Sequence, residues 1–330
     1  MRKFLISVLA FVVPLPCLAQ QSRHFTFHYA FTVRNVPPGQ KVEIWFPLAH
    51  ADPFQEVHIL SISGDLPLTK ARETKFGNTL FHAVAPRAVK GEYTFDVAYD
   101  VVRYEHIGLP RDGVTPHLVE APAKEANEYL MADKLVPVTG RLADIAAKQV
   151  QGHTGTLDRA RALYDYVFSS MRYDKSGSGW GRGDAEWACD AKRGNCTDFH
   201  SLFISMARSQ RIPARFEIGF PLPQNKASGD IPGYHCWAEF YDSKYGWVPV
   251  DISEAWKDPS KKDYFFGAHD ANRVQFSIGR DLILNPPQAG EPLNYFVYPY
   301  VEINGHNWEN VLDNFSFADV TPRTATTAER

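Results

Sequence analysis

Between residues 23 and 105 apolar and polar side chains alternate with period two. His24-Phe25-Thr26-Phe27-His28-Tyr29-Ala30-Phe31-Thr32-Val33 is the longest such run, and Lys41 to Phe46 and Tyr93 to Val101 repeat it. Pro37-Pro38-Gly39, Ser63-Gly64-Asp65, Gly77-Asn78 and Lys90-Gly91 mark turns between them. Short strands at regular spacing without a helical period predict a β-sandwich over residues 20–105. Its histidines His50, His58 and His82 are scattered, and nothing in this part reads as catalytic.

The pattern changes near residue 106. Arg111-Asp112-Gly113 and Thr115-Pro116 read as a linker, Val119 to Leu130 as helix or coil, and Leu142 to Val150 as a helix, so 106–150 is expected to hold linker and helices. In Thr156 to Arg172, residues Leu157, Ala160, Leu163, Tyr164, Val167 and Met171 share one helical face, and Thr156 can cap it. Ser176 to Gly183 is a glycine-rich loop, with no Gly-Lys-Ser/Thr to make it a phosphate loop. A helix from Cys196 to about Gln210 buries Phe199, Leu202, Phe203 and Met206. Strands are expected up to Phe220, over Tyr234 to Tyr241 and over Trp247 to Asp251, with later ones at Leu282 to Leu284 and Asn294 to Ile303. Helix followed by antiparallel meander is α+β. This second unit is expected over 151–310, with 311–330 as a frayed tail.

Three features of composition change this picture. Arg2 and Lys3, the apolar run Phe4 to Val13 and the small residues around Cys17-Leu18-Ala19 have the layout of an export signal over residues 1–19, too short in its apolar part to span a bilayer. An exported protein, periplasmic or secreted and without a transmembrane segment, is therefore expected. The formal net charge of −3 and the lack of a basic stripe argue against a nucleic-acid partner. Of four cysteines, Cys17 lies in the signal, leaving Cys189, Cys196 and Cys236. An odd count in a disulfide-permissive compartment fits either one bridge, Cys189–Cys236, or three free thiols.

The chemistry concentrates in a thiol, an imidazole and a carboxylate on three successive elements. A cysteine nucleophile reacts as thiolate, so its pKa must fall from roughly 8.5. Arg193-Gly194-Asn195 ahead of the apolar period places Cys196 at a helix N-terminus, whose dipole favours the anion. Gly194 would leave room for a substrate backbone. His235, on a strand, could take the thiol proton and return it to a leaving amine. Asp251 follows at a distance that suits one hairpin and could orient the imidazole. Taken singly, Cys196 is equally well read as a packed cysteine, and His235 and Asp251 are better read as satisfied sheet residues. Together they form one constellation.

Gly194-x-Cys196, Arg211-Ile212-Pro213-Ala214-Arg215, His235-x-Trp237 and Gly246-Trp247-Val248-Pro249-Val250-Asp251 occur in the order, and with the residue types, of the transglutaminase-like superfamily core. The resemblance covers roughly residues 155–255. Residues 23–105 and 256–305 are similar to extensions of exported bacterial members. The resemblance implies a papain-like domain of helix plus antiparallel sheet, with Cys196 as nucleophile, His235 as base and Asp251 as orienter. It further implies a thioester acyl-enzyme formed from a peptide or protein amide and released by water or an amine; the export signal, separately, motivates a cell-envelope substrate. Trp187 and Trp237, with Trp180 and Trp247, are candidates to line the substrate channel or simply to pack. No cofactor or metal is expected, since no acidic loop has EF-hand spacing. Two rival readings stand beside this one. A metal could be held by Cys189, Cys196, His200 and His235 or Cys236. Alternatively, the domain is a catalytically silent binding module.

Overall fold

The alternating segments build two five-stranded antiparallel sheets. One runs, in spatial order, Ser228–Asp230, Val311–Asp319, Ser22–Val33, Tyr93–Tyr104 and Gln55–Gly64; the other runs His306–Asn307, Tyr300–Ile303, Val42–Pro47, Thr79–Ala85 and Thr69–Arg72. In Ser22–Val33 the inward positions Phe25, Phe27, Tyr29, Phe31 and Val33 are buried while their neighbours are not, which is the period-two expectation realised. Phe31 stacks on Phe95 of the same sheet at 5.1 Å and meets Phe46 of the other at 5.1 Å. These contacts fill the space between the layers of a sandwich. The computed structural model describes residues 20–111, 114–116, 118 and 123–320. The expected export signal at 1–19, Asp112 and Gly113 of the expected linker, and residues 321–330 lie outside them.

The chain end corrects the sequence reading. Residues 311–319, assigned to a frayed tail, form a strand that pairs with Ser22–Val33 from Val33↔Val311 to Phe25↔Asp319. Tyr300–Ile303 likewise pairs with Val42–Pro47. The C-terminal strands therefore complete the sandwich and do not extend the second domain's sheet. Phe315 and Phe317, buried at 4% and 3% exposure, supply the reason: they cover the sandwich core beside Tyr29 and Arg23.

The second unit has a four-stranded antiparallel sheet, ordered Gly246–Val250, His235–Asp242, Ala214–Pro221 and Arg273–Ile278. Helices Arg141–Gln149, Gly155–Ser170, Ala185–Ala191 and Cys196–Ser209 precede or interleave with it. Helix Gly155–Ser170 takes Thr154 as its cap residue in place of the expected Thr156, and the Asp158 carboxylate accepts from the Thr154 N–H. Leu282–Leu284 makes only an isolated bridge, Leu282 with Leu293. The helix Cys196–Ser209 is buried at every position but its last, because sheet, flanking helices and loops enclose it. Phe203 meets Phe240 of the sheet at 6.4 Å. The sandwich and this unit share one core: Phe27 lies 5.4 Å from Phe220, and Tyr29 lies 5.3 Å from Phe276. Among the described residues no helix is long and apolar enough to cross a membrane.

Candidate active site

Local sequence sets the helix start that carries the thiol. Asn195 caps it, accepting from the Thr197 N–H at 3.0 Å, while the Asp198 carboxylate accepts from the Asn195 N–H at 2.9 Å. This reciprocal pair is a capping box. Asp198 also accepts from the N–H groups of Gly181 at 2.7 Å and Gly183 at 3.0 Å, so one carboxylate ties the glycine-rich loop to the helix start. Cys196 is the first helical residue, where backbone N–H groups lack an intrahelical acceptor and favour an anion.

His235 opens the strand His235–Asp242, and Asp251 leaves the neighbouring strand one position after the Ala238↔Val250 pair. The hairpin thus brings imidazole and carboxylate to the same end of the sheet, beside the helix start. His235 Nε2 meets Asp251 Oδ2 at 2.7 Å, and the imidazole hydrogen-bonds the Cys196 sulfur. Cys196 is 2% exposed, His235 4% and Asp251 0%. Sulfur, imidazole and carboxylate are therefore one connected, water-poor set.

Several residues to which the sequence reading gave no part in the triad hold this set. The guanidinium of Arg273 donates to the same Asp251 Oδ2 at 2.9 Å, and Ser253 Oγ and the Glu254 N–H donate to Oδ1 at 3.1 Å each. Asp251 is thereby the cap of helix Ile252–Lys257 as well as the partner of His235. The Ile252 N–H donates to His200 Nε2 at 3.1 Å, which leaves the His200 proton on Nδ1. The Tyr234 hydroxyl bridges Thr197 Oγ1 at 2.7 Å and Asn195 Nδ2 at 2.9 Å. Of these, only the Asn195-x-x-Asp198 capping box had a local signal in the sequence. Arg273 and Tyr234 reach the site through packing alone.

The electrostatics follow from burial and pairing. Burial acts to raise the Cys196 thiol, but hydrogen bonds from Cys236 and His235 and the His235 charge hold it well below the ordinary thiol value. Burial acts to lower His235, yet the charge and hydrogen bond of Asp251, with the Cys196 sulfur, push it up to about 10. Burial acts to raise Asp251, and His235 and Arg273 hold it well below the carboxylate range. Burial leaves His200 lowered to about 4. The arrangement is that of a thiolate–imidazolium pair steadied by a carboxylate, with a neutral second imidazole alongside. A cleft of about 390 Å³ reaches His235 between Pro232, Phe265, Glu254 and Lys257.

The structure gives Gly194 and Trp237 packing roles and leaves Trp187 half-buried. Gly194 is buried at φ +152°, and a Cβ there would come within 2.3 Å of Asp198 Oδ2, so glycine makes room for the capping carboxylate and not for substrate. Trp237 is fully buried; its Nε1–H donates to Glu217 Oε2 at 2.7 Å and Arg273 lies over its ring at 4.8 Å. Trp187 is half-buried beneath the glycine-rich loop, close against Gly179 and under Arg193. The Cys189–Cys236 bridge does not form: Cys189, Cys196 and Cys236 are all free and buried, with Cys189 hydrogen-bonded to Tyr166. Among the described residues the potential metal ligands that gather are His106, Glu239 and His269, within 4.8 Å of one another, not the cysteine-containing set. Arg215 already holds Glu239 at 2.6 Å and Arg103 lies 3.4 Å from His269 Nε2, so a cation there would meet positive neighbours.

The chain is 28% identical over 316 residues to an uncharacterized protein of Haemophilus influenzae, covering 85% of each. It is 25% identical over 156 residues to YebA, an uncharacterized protein of Bacillus subtilis, covering 42% of this chain and 21% of that one. Its fold resembles the crystal structure of a candidate cysteine protease from Cytophaga hutchinsonii, with TM-score 0.54, 16% identity, and coverage of 90% of this chain and 98% of the other. Residues 143–252 match the model of the transglutaminase-like superfamily, and this chain accordingly carries a transglutaminase-like domain, set against a β-sandwich.

Proposed function

We propose that the protein is a cysteine-dependent acyl transferase acting on peptide or protein amides. The observation that carries this reading is the hydrogen-bonded chain from the Cys196 sulfur through His235 to Asp251 at 2.7 Å, at the N-terminus of a buried helix. Cys196 attacks the amide carbonyl, and the developing oxyanion faces the N–H groups of the helix start. His235, already protonated, gives its proton to the departing amine, and Asp251 stabilises the imidazolium until then. The resulting thioester is released by water, the default acceptor, or by an amine. The export signal at residues 1–19 motivates a periplasmic or secreted site of action and a cell-envelope substrate.

The test is trapping of the intermediate. Incubation with a library of cell-wall and protein-derived peptide amides, followed by rapid acid quench and intact-mass analysis, is expected to show an acyl group on Cys196 that is absent from Cys196→Ala. Absence of any adduct across the library, with Cys196 freely alkylated, would sink the reading in favour of a binding module. Fractionation of expressing cells decides the location.

A further inference from the structure

Cys236 is a fully buried thiol that makes no bond to substrate in that chemistry, yet it hydrogen-bonds the nucleophile. It follows His235 on the strand, and its side chain leaves the face opposite Trp237, toward the helix start. There its sulfur lies 3.7 Å from Thr197 Oγ1 and 3.8 Å from His200 Nδ1. Thr197 follows Cys196 and His200 lies one helical turn beyond it, so the Cys236 sulfur sits against the same first turn that carries the nucleophile. A disulfide needs its two sulfurs brought to about 2.05 Å.

We propose that Cys196 and Cys236 form a reversible disulfide when a hydroperoxide reaches the site, so that Cys236 rescues the nucleophile from irreversible oxidation. The chemistry balances with the hydroperoxide as oxidant. The Cys196 thiolate attacks the terminal oxygen, the O–O bond breaks, an S–O bond forms, and the alkoxide or hydroxide takes the His235 imidazolium proton and leaves as alcohol or water; Cys196 is now a sulfenic acid. The Cys236 sulfur then attacks the Cys196 sulfur, its thiol proton goes to the departing hydroxide, the S–O bond breaks, and water leaves as the S–S bond forms. Two thiols and one hydroperoxide give one disulfide, one alcohol or water, and one further water. Without a resolving thiol, a sulfenic acid in a site built to favour thiolate proceeds to sulfinic acid. Cys189 sits elsewhere, in helix Ala185–Ala191 against Tyr166. At 2% exposure Cys196 admits a small peroxide more readily than a protein-sized oxidant.

The inference rests on Cys196 being the reactive thiol of the proposed function, and the experiment separates the two. The full chain is treated with hydrogen peroxide and mapped by non-reducing peptide mass spectrometry, with iodoacetamide labelling before treatment, after it, and after dithiothreitol. A Cys196–Cys236 peptide pair is expected, with loss of Cys196 labelling that dithiothreitol restores in full. In Cys236→Ser the loss is expected to persist, with Cys196 recovered as sulfinic acid. Wild-type protein that reaches sulfinic acid without the bridge, or Cys236→Ser labelling that recovers as well as wild type, overturns the proposal. Should that variant misfold, the wild-type peptide map decides alone. Slow labelling of Cys196 before any peroxide counts against the acyl-transfer reading and not against the bridge, which the map still scores.

Discussion

Asp251→Asn probes the site most sharply because it removes a charge and little else. Asparagine caps a helix about as well as aspartate, so the cap of Ile252–Lys257, where Asp251 Oδ1 accepts from the Glu254 N–H, can survive. What is lost is the anion 2.7 Å from His235 Nε2. At a charge separation of about 4 Å and an effective dielectric of about 20, that attraction is worth about 4 kcal/mol. Burial opposes this attraction and the Cys196 sulfur adds to it, and together they lift His235 from 6.5 to about 10. Arg273 would keep only Asp270, at 3.5 Å, and its charge would then oppose the imidazolium. The neutral thiol–imidazole pair should gain accordingly. The assay is the second-order rate of iodoacetamide labelling at Cys196 across pH, read by mass spectrometry. For wild type, with thiol lowered and imidazole raised, the rate should be flat through neutrality, because the thiolate is already formed. In Asp251→Asn it should fall at pH 7 by a factor of about 10 to 1,000 and recover as pH rises through the ordinary thiol range of roughly 8.5. A folded variant whose pH profile superimposes on wild type would refute the role assigned to Asp251.

Three further predictions concern the frame. Arg280 is buried and donates to the carbonyls of Gly183 and Arg182 and to Ser201 Oγ, so Arg280→Met should cost about 3 kcal/mol through unsatisfied buried acceptors, read by urea denaturation, and open residues 176–183 to limited proteolysis. A Cβ at Gly219 would stand 1.8 Å from the Val274 carbonyl oxygen; backbone cannot yield as a side chain does, and Gly219→Ala should lose about 3 kcal/mol or more by the same measurement. Deleting residues 311–330 removes buried Phe315 and Phe317, about 2 kcal/mol each, together with a whole strand ladder. Against a total stability of about 5–15 kcal/mol, the truncated chain should fail to give a cooperative melt by circular dichroism. A normal melt would return these residues to a dispensable tail.

Legibility tracked how local each cause is. The strand Ser22–Val33 and the helix Cys196–Ser209 were readable because period-two and helical burial patterns are properties of consecutive residues. The order of thiol, imidazole and carboxylate was readable because a helix and one hairpin present them in sequence. Gly194 and Trp237 were read as substrate contacts because a small residue and an aromatic beside a candidate site have that local look. Their actual neighbours, Asp198 on the next helical turn and Glu217 on an adjacent strand, appear only after folding. Val311–Asp319 looked like a tail because its alternation is short and its flank polar; its partner Ser22–Val33 lies at the other end of the chain.

By itself, then, the amino-acid sequence determined the elements, the superfamily resemblance and the three residues whose types and order suit acyl transfer. Only the tertiary structure decided what surrounds them. It set Arg273 and His200 against Asp251, spent the space at Gly194 on the capping carboxylate, closed the sandwich with the chain's last strand, and brought Cys236 to the Cys196 sulfur. The physical reason is separation along the chain. Propensity and periodicity act over neighbouring residues, whereas burial, ion pairing and pKa arise among groups that meet only when distant segments pack in a low-dielectric interior.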